Sequence, residues 1–437
     1  MSSKTNTYKQ NIKGWMVVAC GGIFYMYQFL IRVSPNIMNN ELLSNFAIEA
    51  AGLGVLIGTY NWSYSAMQIP LGITIDRFGP RLFLCLAASL CALSCFIFGN
   101  TTSPIIGGCA RFLMGMGSAC GLIGTIKLGT LWLESKHIAK VTGLVILMGT
   151  AGASLGGAPL EILLNKVGFK NTMEFLGWIG LIVSIIIYFF VSNYPPVDHH
   201  GELPDIYANN HPFTDILLLL KTPQAWILAI YGMLMYLPIT VIGVAWGVSF
   251  IRTTYQVSDT SAATIVSTMF FGAAIGSPFF AYFSDITKNR RLPMFCGSLV
   301  TTIVWFAVIA FHVPYYLLYL LFFIGGFAYT AKCLSFASIC ETMPLKMSGV
   351  SIAFVNAVVM STGTIFLPVI GVLIDYHSNG QTACDIPCYS GEDYRFALVI
   401  VPISLLISFI IVFFMKETHP DHKLLKEYGS FATNDIV

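Results

Sequence analysis

The chain has 437 residues, of which 56% are hydrophobic and only 10% charged, and its formal net charge is +2. Soluble domains carry about 25% charged residues, so lipid must solvate most of this surface. The near-neutral balance excludes a nucleic-acid partner held by bulk electrostatics, and cysteines such as Cys20, Cys85, Cys91, Cys95, Cys109 and Cys120 sit in apolar runs without zinc-ligand spacing.

Lys4, Lys9 and Lys13 precede the first apolar run, which continues to about Met38, so an uncleaved first helix is expected. Runs long enough to cross a bilayer, about 20 residues, fall at 14–38, 50–73, 81–100, 104–131, 138–164 and 172–192. A second series falls at 224–251, 259–284, 291–311, 314–340, 347–375 and 394–415. The predicted fold class is therefore an all-α membrane protein of twelve transmembrane helices in two pseudo-symmetric bundles. The expected units are 1–192, a first six-helix bundle; 193–223, a linker rich in Pro, His, Asp and Asn; 224–415, a second bundle; and 416–437, a charged tail.

Fifteen of the 23 lysines and arginines fall in tails and loops on one side. The other side holds Lys166, Lys170, Arg252 and Arg395. Positive charge marks the cytoplasmic face, which places both termini and the linker inside. Trp15, Trp132 and Trp226 fall at the predicted inner boundaries. Pairs of small residues (Gly54/Gly58, Gly117/Gly121, Gly152/Gly156, Gly272/Gly276) predict close helix packing.

Between the second and third runs lies GITIDRFGPR, Gly72 to Arg81, with Gly72 and Gly79 for close packing and turning and Asp76, Arg77 and Arg81 for charge. A degraded copy, AYFSDITKNRR, keeps Asp285, Arg290 and Arg291 about half a chain later and loses both glycines. Recurrence of a charged turn at that interval indicates a duplicated transporter.

These loops resemble the signature G-x-x-x-D-R-x-G-x-R of the major facilitator superfamily and its second-half counterpart. Arg111-Phe-Leu-Met-Gly115-Met-Gly117 is similar to that family's helix-4 motif. Gly149-Thr-Ala-Gly152 with Gly156, Gly157, Ala158 and Pro159 is similar to its helix-5 motif, with Thr150 where a proline is usual, which leaves an antiporter assignment unsupported. The resemblance covers about 14–415 and implies two bundles rocking about a central site. It gives Gly152, Gly156, Gly157 and Pro159 a packing role on helix 5, and the two charged loops the role of latching the cytoplasmic side in the outward-facing state. A narrower stretch, Phe24 to Pro35, resembles the first helix of the phagosomal nutrient transporters of intracellular bacteria, as do Leu334 to Ala337 and Glu392 to Arg395. That resemblance implies uptake of an amino acid or other small nutrient. Gln28 stands where that group often carries an acid, which speaks against proton coupling through this position.

Four cations lie within spans, Arg32, Arg111, Lys127 and Lys332, and each is costly there unless paired or hydrated. Lys127 can snorkel to the inner interface, and Arg111 can equally brace helices or touch substrate. Arg32 and Lys332 are too deep for snorkelling and belong to opposite halves. Tyr25, Gln28 and Arg32 share one helix face by their spacing, as do Asn61, Tyr64 and Gln68. Together with Arg111, Tyr236, Tyr329, Lys332 and Asn356 they form the expected substrate site.

No acidic residue is central in any span: Glu161 and Asp375 fall near outer ends, and Asp76, Glu134, Asp285 and Glu341 near inner ones. Basic groups without central acids attract carboxylate or phosphate. The expected function is secondary transport of a small anionic or zwitterionic nutrient across the bacterial inner membrane, with a proton or sodium ion as possible coupling partner. The chain is expected to act as a monomer among membrane lipids, with no cofactor and no metal. The alternatives are an exporter of an organic anion or siderophore-like metabolite and a non-transporting nutrient receptor. No P-loop pattern supports ATP drive, and no embedded His or acid cluster supports a membrane enzyme. His199, His200 and His211 read as linker polarity, and Cys384 and Cys388 are candidates for a local disulfide.

Overall fold

In the computed structural model the described residues are 2–133, 137–193, 212–344, 347–378, 382–383, 386–387 and 389–419. The linker histidines, Cys384 and Cys388 lie outside them, as do the side chains of Asp76 and Arg77.

The first half opens with α1 (Ser2–Val33), a single 3-10 turn (Ser34–Ile37) and a short helix (Asn39–Phe46). Then come α2 (Ala50–Phe78) and α3 (Pro80–Asn100). Passage α4 is Pro104–Ser118 continued by Cys120–Trp132. Passage α5 is Ile138–Leu155 and resumes in the helix Ala158–Phe190, whose later part is α6. Prolines 80, 104 and 159 stand in the first turns of their helices, where a missing N–H costs nothing. Lys140–Phe190 is 51 residues long. At 1.5 Å per residue that is about 75 Å, more than two bilayer cores. It bends at Gly168, φ 80°, so it makes two passages.

The second half repeats the plan. Passage α7 is Pro223–Pro238, a π-helical stretch Ile239–Trp246 and Gly247–Tyr255. Passages α8 (Asp259–Thr287) and α9 (Arg291–Ala310) follow. Passage α10 is Tyr315–Ala328, a 3-10 turn Tyr329–Cys333 and Leu334–Thr342. After α11 (Ser348–Ser378) a two-residue hairpin, β1 (Thr382–Ala383) with β2 (Ile386–Pro387), leads to α12 (Gly391–Leu398 and Ile400–Ile411). Twelve passages return both termini to one side, called here the terminus side; the α1–α2 turn marks the far side.

Outward-facing stripes such as Ile182, Ile185 and Phe189, or Ile403, Ile407 and Ile410, are exposed and recur at helical spacing. They are the lipid contact of a multi-pass membrane protein. Within each half, α1 packs on α4 and α5, α3 on α6, and α8 on α10. Between the halves, α2 packs on α11 and α5 on α8. A side chain at Gly54 would collide with the Leu367 carbonyl, and one at Gly371 with the Ala50 carbonyl, so these glycines set the α2–α11 approach.

Two expectations need correction. The segment 193–223 is not all linker: Pro212–Lys221 is helical and buries Leu219, because DILLLL supplies an apolar face that a Pro- and His-rich reading overlooks. Gly72 is not a packing contact, since a Cβ there would meet open space.

Candidate functional site

Arg32 leaves the last turn of α1 and is only 2% exposed. Its Nη2 donates to Asn61 Oδ1 at 3.4 Å and lies 3.3 Å from Met360 Sδ, while its Nε has no partner. The guanidinium lies 5.5 Å from the Tyr236 ring centroid, 5.6 Å from those of Phe29 and Tyr64, and 5.8 Å from that of Tyr60. Lys332 sits in the 3-10 turn of α10, 7% exposed, with Nζ 4.4 Å from the centroid of the same Tyr236 ring. It also approaches Phe336 and Tyr329, at 5.6 and 6.0 Å. One Tyr236 ring is therefore shared by a cation from each half. Cation–π contact lowers the cost of such burial without neutralising the charge. Among the described residues no carboxylate lies within ion-pair distance of Arg32, Arg111 or Lys332.

Other expected site residues divide into two groups. Tyr64 stacks on Tyr60, and Tyr329 lies 6.3 Å from Tyr236, so both belong to the aromatic wall. Tyr25 packs edge-on against Phe29 at 5.0 Å. Gln28 is fully buried and accepts from Tyr60 Oη at 3.0 Å. Arg111 turns away from the pair: Nη1 donates to the Ile31 carbonyl at 3.2 Å and the guanidinium lies 5.1 Å from the Tyr60 ring. It braces α4 against α1. Asn356 donates to Gln68 Oε1 at 2.8 Å, a bond between the halves. Phe29, Tyr60, Phe336 and Met360 were missed by sequence reasoning. For Tyr60 and Met360 a signal existed, since each lies one helical turn from a polar residue already on the site face, Tyr64 and Asn356.

The far side is closed by hydrogen bonds between the halves. Asn36 Nδ2 donates to the Ile242 and Gly243 carbonyls, both at 2.9 Å, and its Oδ1 accepts from Val248 N at 3.1 Å. Asn39 donates to the Ala245 carbonyl at 2.7 Å and to Ser249 Oγ at 3.0 Å. These acceptors lie in and just after the π-helical stretch, where the widened turn leaves carbonyls free of α-type bonding. Asp375 on α11 accepts from the first N–H groups of α2, Ala50 at 3.0 Å and Ala51 at 2.7 Å, with Tyr389 Oη donating to it at 2.6 Å.

A family model described as Major Facilitator Superfamily matches residues 17–240 and 228–434. The chain belongs to the major facilitator superfamily. A probable L-galactonate transporter of Escherichia coli is 23% identical over 63% of this chain and 65% of its own length. A probable sulfoacetate transporter of Cupriavidus necator is 21% identical over 45% of each. The chain thus matches less than two thirds of either relative. Among solved structures, a bacterial homologue of the human lysosomal transporter Spinster superposes with a TM-score of 0.75 at 16% identity, covering 92% of this chain and 96% of that one. That likeness is one of fold.

The superfamily's signature loop turns at Gly79, φ 82°, a conformation glycine supplies without strain. Among the described residues Arg81 bonds within its own half: its backbone N–H donates to Asn193 Oδ1 at 2.9 Å and its Nη2 to the Tyr188 carbonyl at 2.7 Å. In the second copy Arg290 pairs with Glu341 at 2.8 Å and with Asp285 at 3.1 Å. Arg291 bonds the Val412 and Phe413 carbonyls. On helix 5 of this superfamily member, Gly152 and Gly156 lie against α1 at Met26 and Val33. Gly157 faces Ser267 of α8 across the halves, and Pro159 opens the resumed helix.

Proposed function

We propose that this protein is a secondary transporter that imports a small carboxylate-bearing nutrient by alternating access. The observation that carries the reading is the Arg32–Tyr236–Lys332 arrangement: two buried cations, one from each half, on one ring and without a carboxylate partner. A carboxylate would satisfy the Arg32 fork and compensate the buried charge. The relatives named for sulfoacetate and L-galactonate handle acids, which supports an anionic cargo. An amino acid, vitamin or organic acid fits the site, with Tyr25, Gln28, Asn61, Tyr64, Tyr329 and Asn356 as further polar lining. Import, and membership of the phagosomal nutrient group, rest on the resemblance of Phe24 to Pro35. The lysine and arginine asymmetry supports an inner-membrane protein with both termini cytoplasmic, which makes the terminus side the inner one. Symport with a proton or sodium ion would supply the drive.

In this reading the far-side bonds hold the inward-facing arrangement, and the loops at Asp76 and Asp285 engage when the cytoplasmic side closes. Uptake of a labelled carboxylate into proteoliposomes tests it. Arg32→Gln and Lys332→Gln should each raise the KM at least tenfold without loss of expression. Unchanged affinity in both variants overturns the reading. Efflux from loaded vesicles without gradient-driven uptake would reverse the direction.

A further inference from the structure

We infer that the transported solute is a dianion, a short molecule with two acid groups, one held by Arg32 and the other by Lys332. This rests on the carboxylate reading above and narrows it. The first argument is charge balance. Arg32 and Lys332 are both buried and, among the described residues, neither has an acidic partner. Arg111 adds a third buried cation behind them, held by the Ile31 carbonyl and the Tyr60 ring. A monoanion would leave Arg32 or Lys332 uncompensated in a low-dielectric centre, where an unpaired charge is costly. A dianion compensates both.

Geometry sets the size. Arg32 Cζ and Lys332 Nζ lie 5.5 and 4.4 Å from one ring centroid, so they are at most about 10 Å apart. With hydrogen bonds of about 2.8 Å at each end, that ceiling restricts a solute touching both cations to two acid groups joined by a short chain. The two cations also differ in what they offer. Arg32 has an unpartnered Nε beside an Nη2 held by a long bond to Asn61 and a sulfur contact with Met360, with Tyr236 as a further partner of the guanidinium, so a bidentate carboxylate at the Nε edge would displace only weak contacts. Lys332 meets ring faces and, among the described residues, no hydrogen-bond acceptor, so its ammonium can take the second acid as a point charge. Because Arg32 belongs to the first half and Lys332 to the second, the cargo itself would tie the halves together. A monoacid would engage only one of them.

The test uses full-length protein in nanodiscs and measures affinity for succinate, glutarate and adipate against their monoamides. At least one diacid should bind about 30-fold or more tightly than its monoamide, the scale of losing one partner of a buried charge pair. Lys332→Gln should weaken diacid binding far more than monoamide binding and so abolish that ratio, and Lys332→Arg should retain the ratio. Retention by Lys332→Arg also shows that the glutamine variant's loss is one of charge and not of folding. Equal affinity for diacids and monoamides in the native protein, or a ratio that survives Lys332→Gln, overturns the dianion and leaves the carboxylate reading standing. Failure of every acid in the series to bind overturns both.

Discussion

The two ends of the interface between the halves are built from different interactions. At the far side, side chains of one half bond the backbone of the other: Asn36 and Asn39 reach α7, and Asp375 reaches the start of α2. At the terminus side, among the described residues, Arg81, Arg290 and Arg291 are satisfied inside their own halves, and the bond across the halves on that side is the deeper Asn356–Gln68 pair. A gate made of bonds across the halves stores the difference between two states, whereas one satisfied within each half moves as a rigid unit. The comparison says which residues should bias the conformational equilibrium and which should only stabilise a bundle.

Asn36→Leu should have the largest effect. It removes the side-chain bonds to the Gly243 carbonyl and Val248 N–H, at about 1–3 kcal/mol per buried group left unpaired, while the Ile242 carbonyl keeps its bond from Gly247 N–H. Each 1.4 kcal/mol is tenfold, so spin-label distances across the far side should shift to a mostly open population. An unchanged distance distribution would mean that the clamp does not set the balance. Gly54→Val should act in the same direction by forcing α2 from the Leu367 backbone, and the same distances report it. Asp375→Asn comes next. It removes a charge from a helix N-terminus and weakens two N–H bonds, about 1–2 kcal/mol, read as a smaller shift to the open state.

Arg290→Gln should leave far-side distances unchanged. It breaks the exposed contact with Asp285 and also the forked, mostly buried pair with Glu341, so a fall in Tm is expected without any change in the gate. A far-side response to this variant would break the comparison. The smallest effect concerns Glu417, just beyond α12. Burial alone would raise its pKa, but backbone N–H groups of Arg290, His419, Arg291 and Thr418 outweigh this and hold it below the usual carboxylate range. A depressed folded value gives stability that is present above the unfolded pKa and lost as pH falls through the folded one. Acidification through and below the usual carboxylate range should therefore loosen the tail from the start of α9, and Glu417→Gln should flatten that pH dependence of Tm.

Twelve passages are legible in the sequence because hydropathy alone distinguishes residues that lipid can solvate. Arg32 and Lys332 are legible because an intramembrane cation has few structural excuses. Arg111 reads equally as a brace or a substrate contact in the sequence, and the structure shows Nη1 bonded to the Ile31 carbonyl with Nε and Nη2 unpartnered. The far-side clamp is harder to read, since Asn36 and Asn39 follow an apolar run and look like ordinary boundary polarity. Asp375 likewise reads as an acid at a span end until α2 is docked against it. The π-helical stretch of α7 leaves no mark in composition, because ITVIGVAW would suit an α-helix equally well.

That stretch has a consequence for insertions and deletions. Accommodating one extra residue in a helix rotates everything beyond it by about 100° relative to an uninterrupted α-helix. Gly247–Tyr255, with Val248 and Ser249 aimed at the asparagines and Arg252 at Asn40, keeps its azimuth only because the turn before it is wide. Deleting a single residue from 239–246 would let the wide turn close to α-helical geometry and keep the outer end on the same azimuth, whereas inserting one more would leave the passage apolar and present the wrong face of that end to the first half. Length in this helix is thus counted in angle, and a one-residue insertion that hydropathy ignores would unpick the gate.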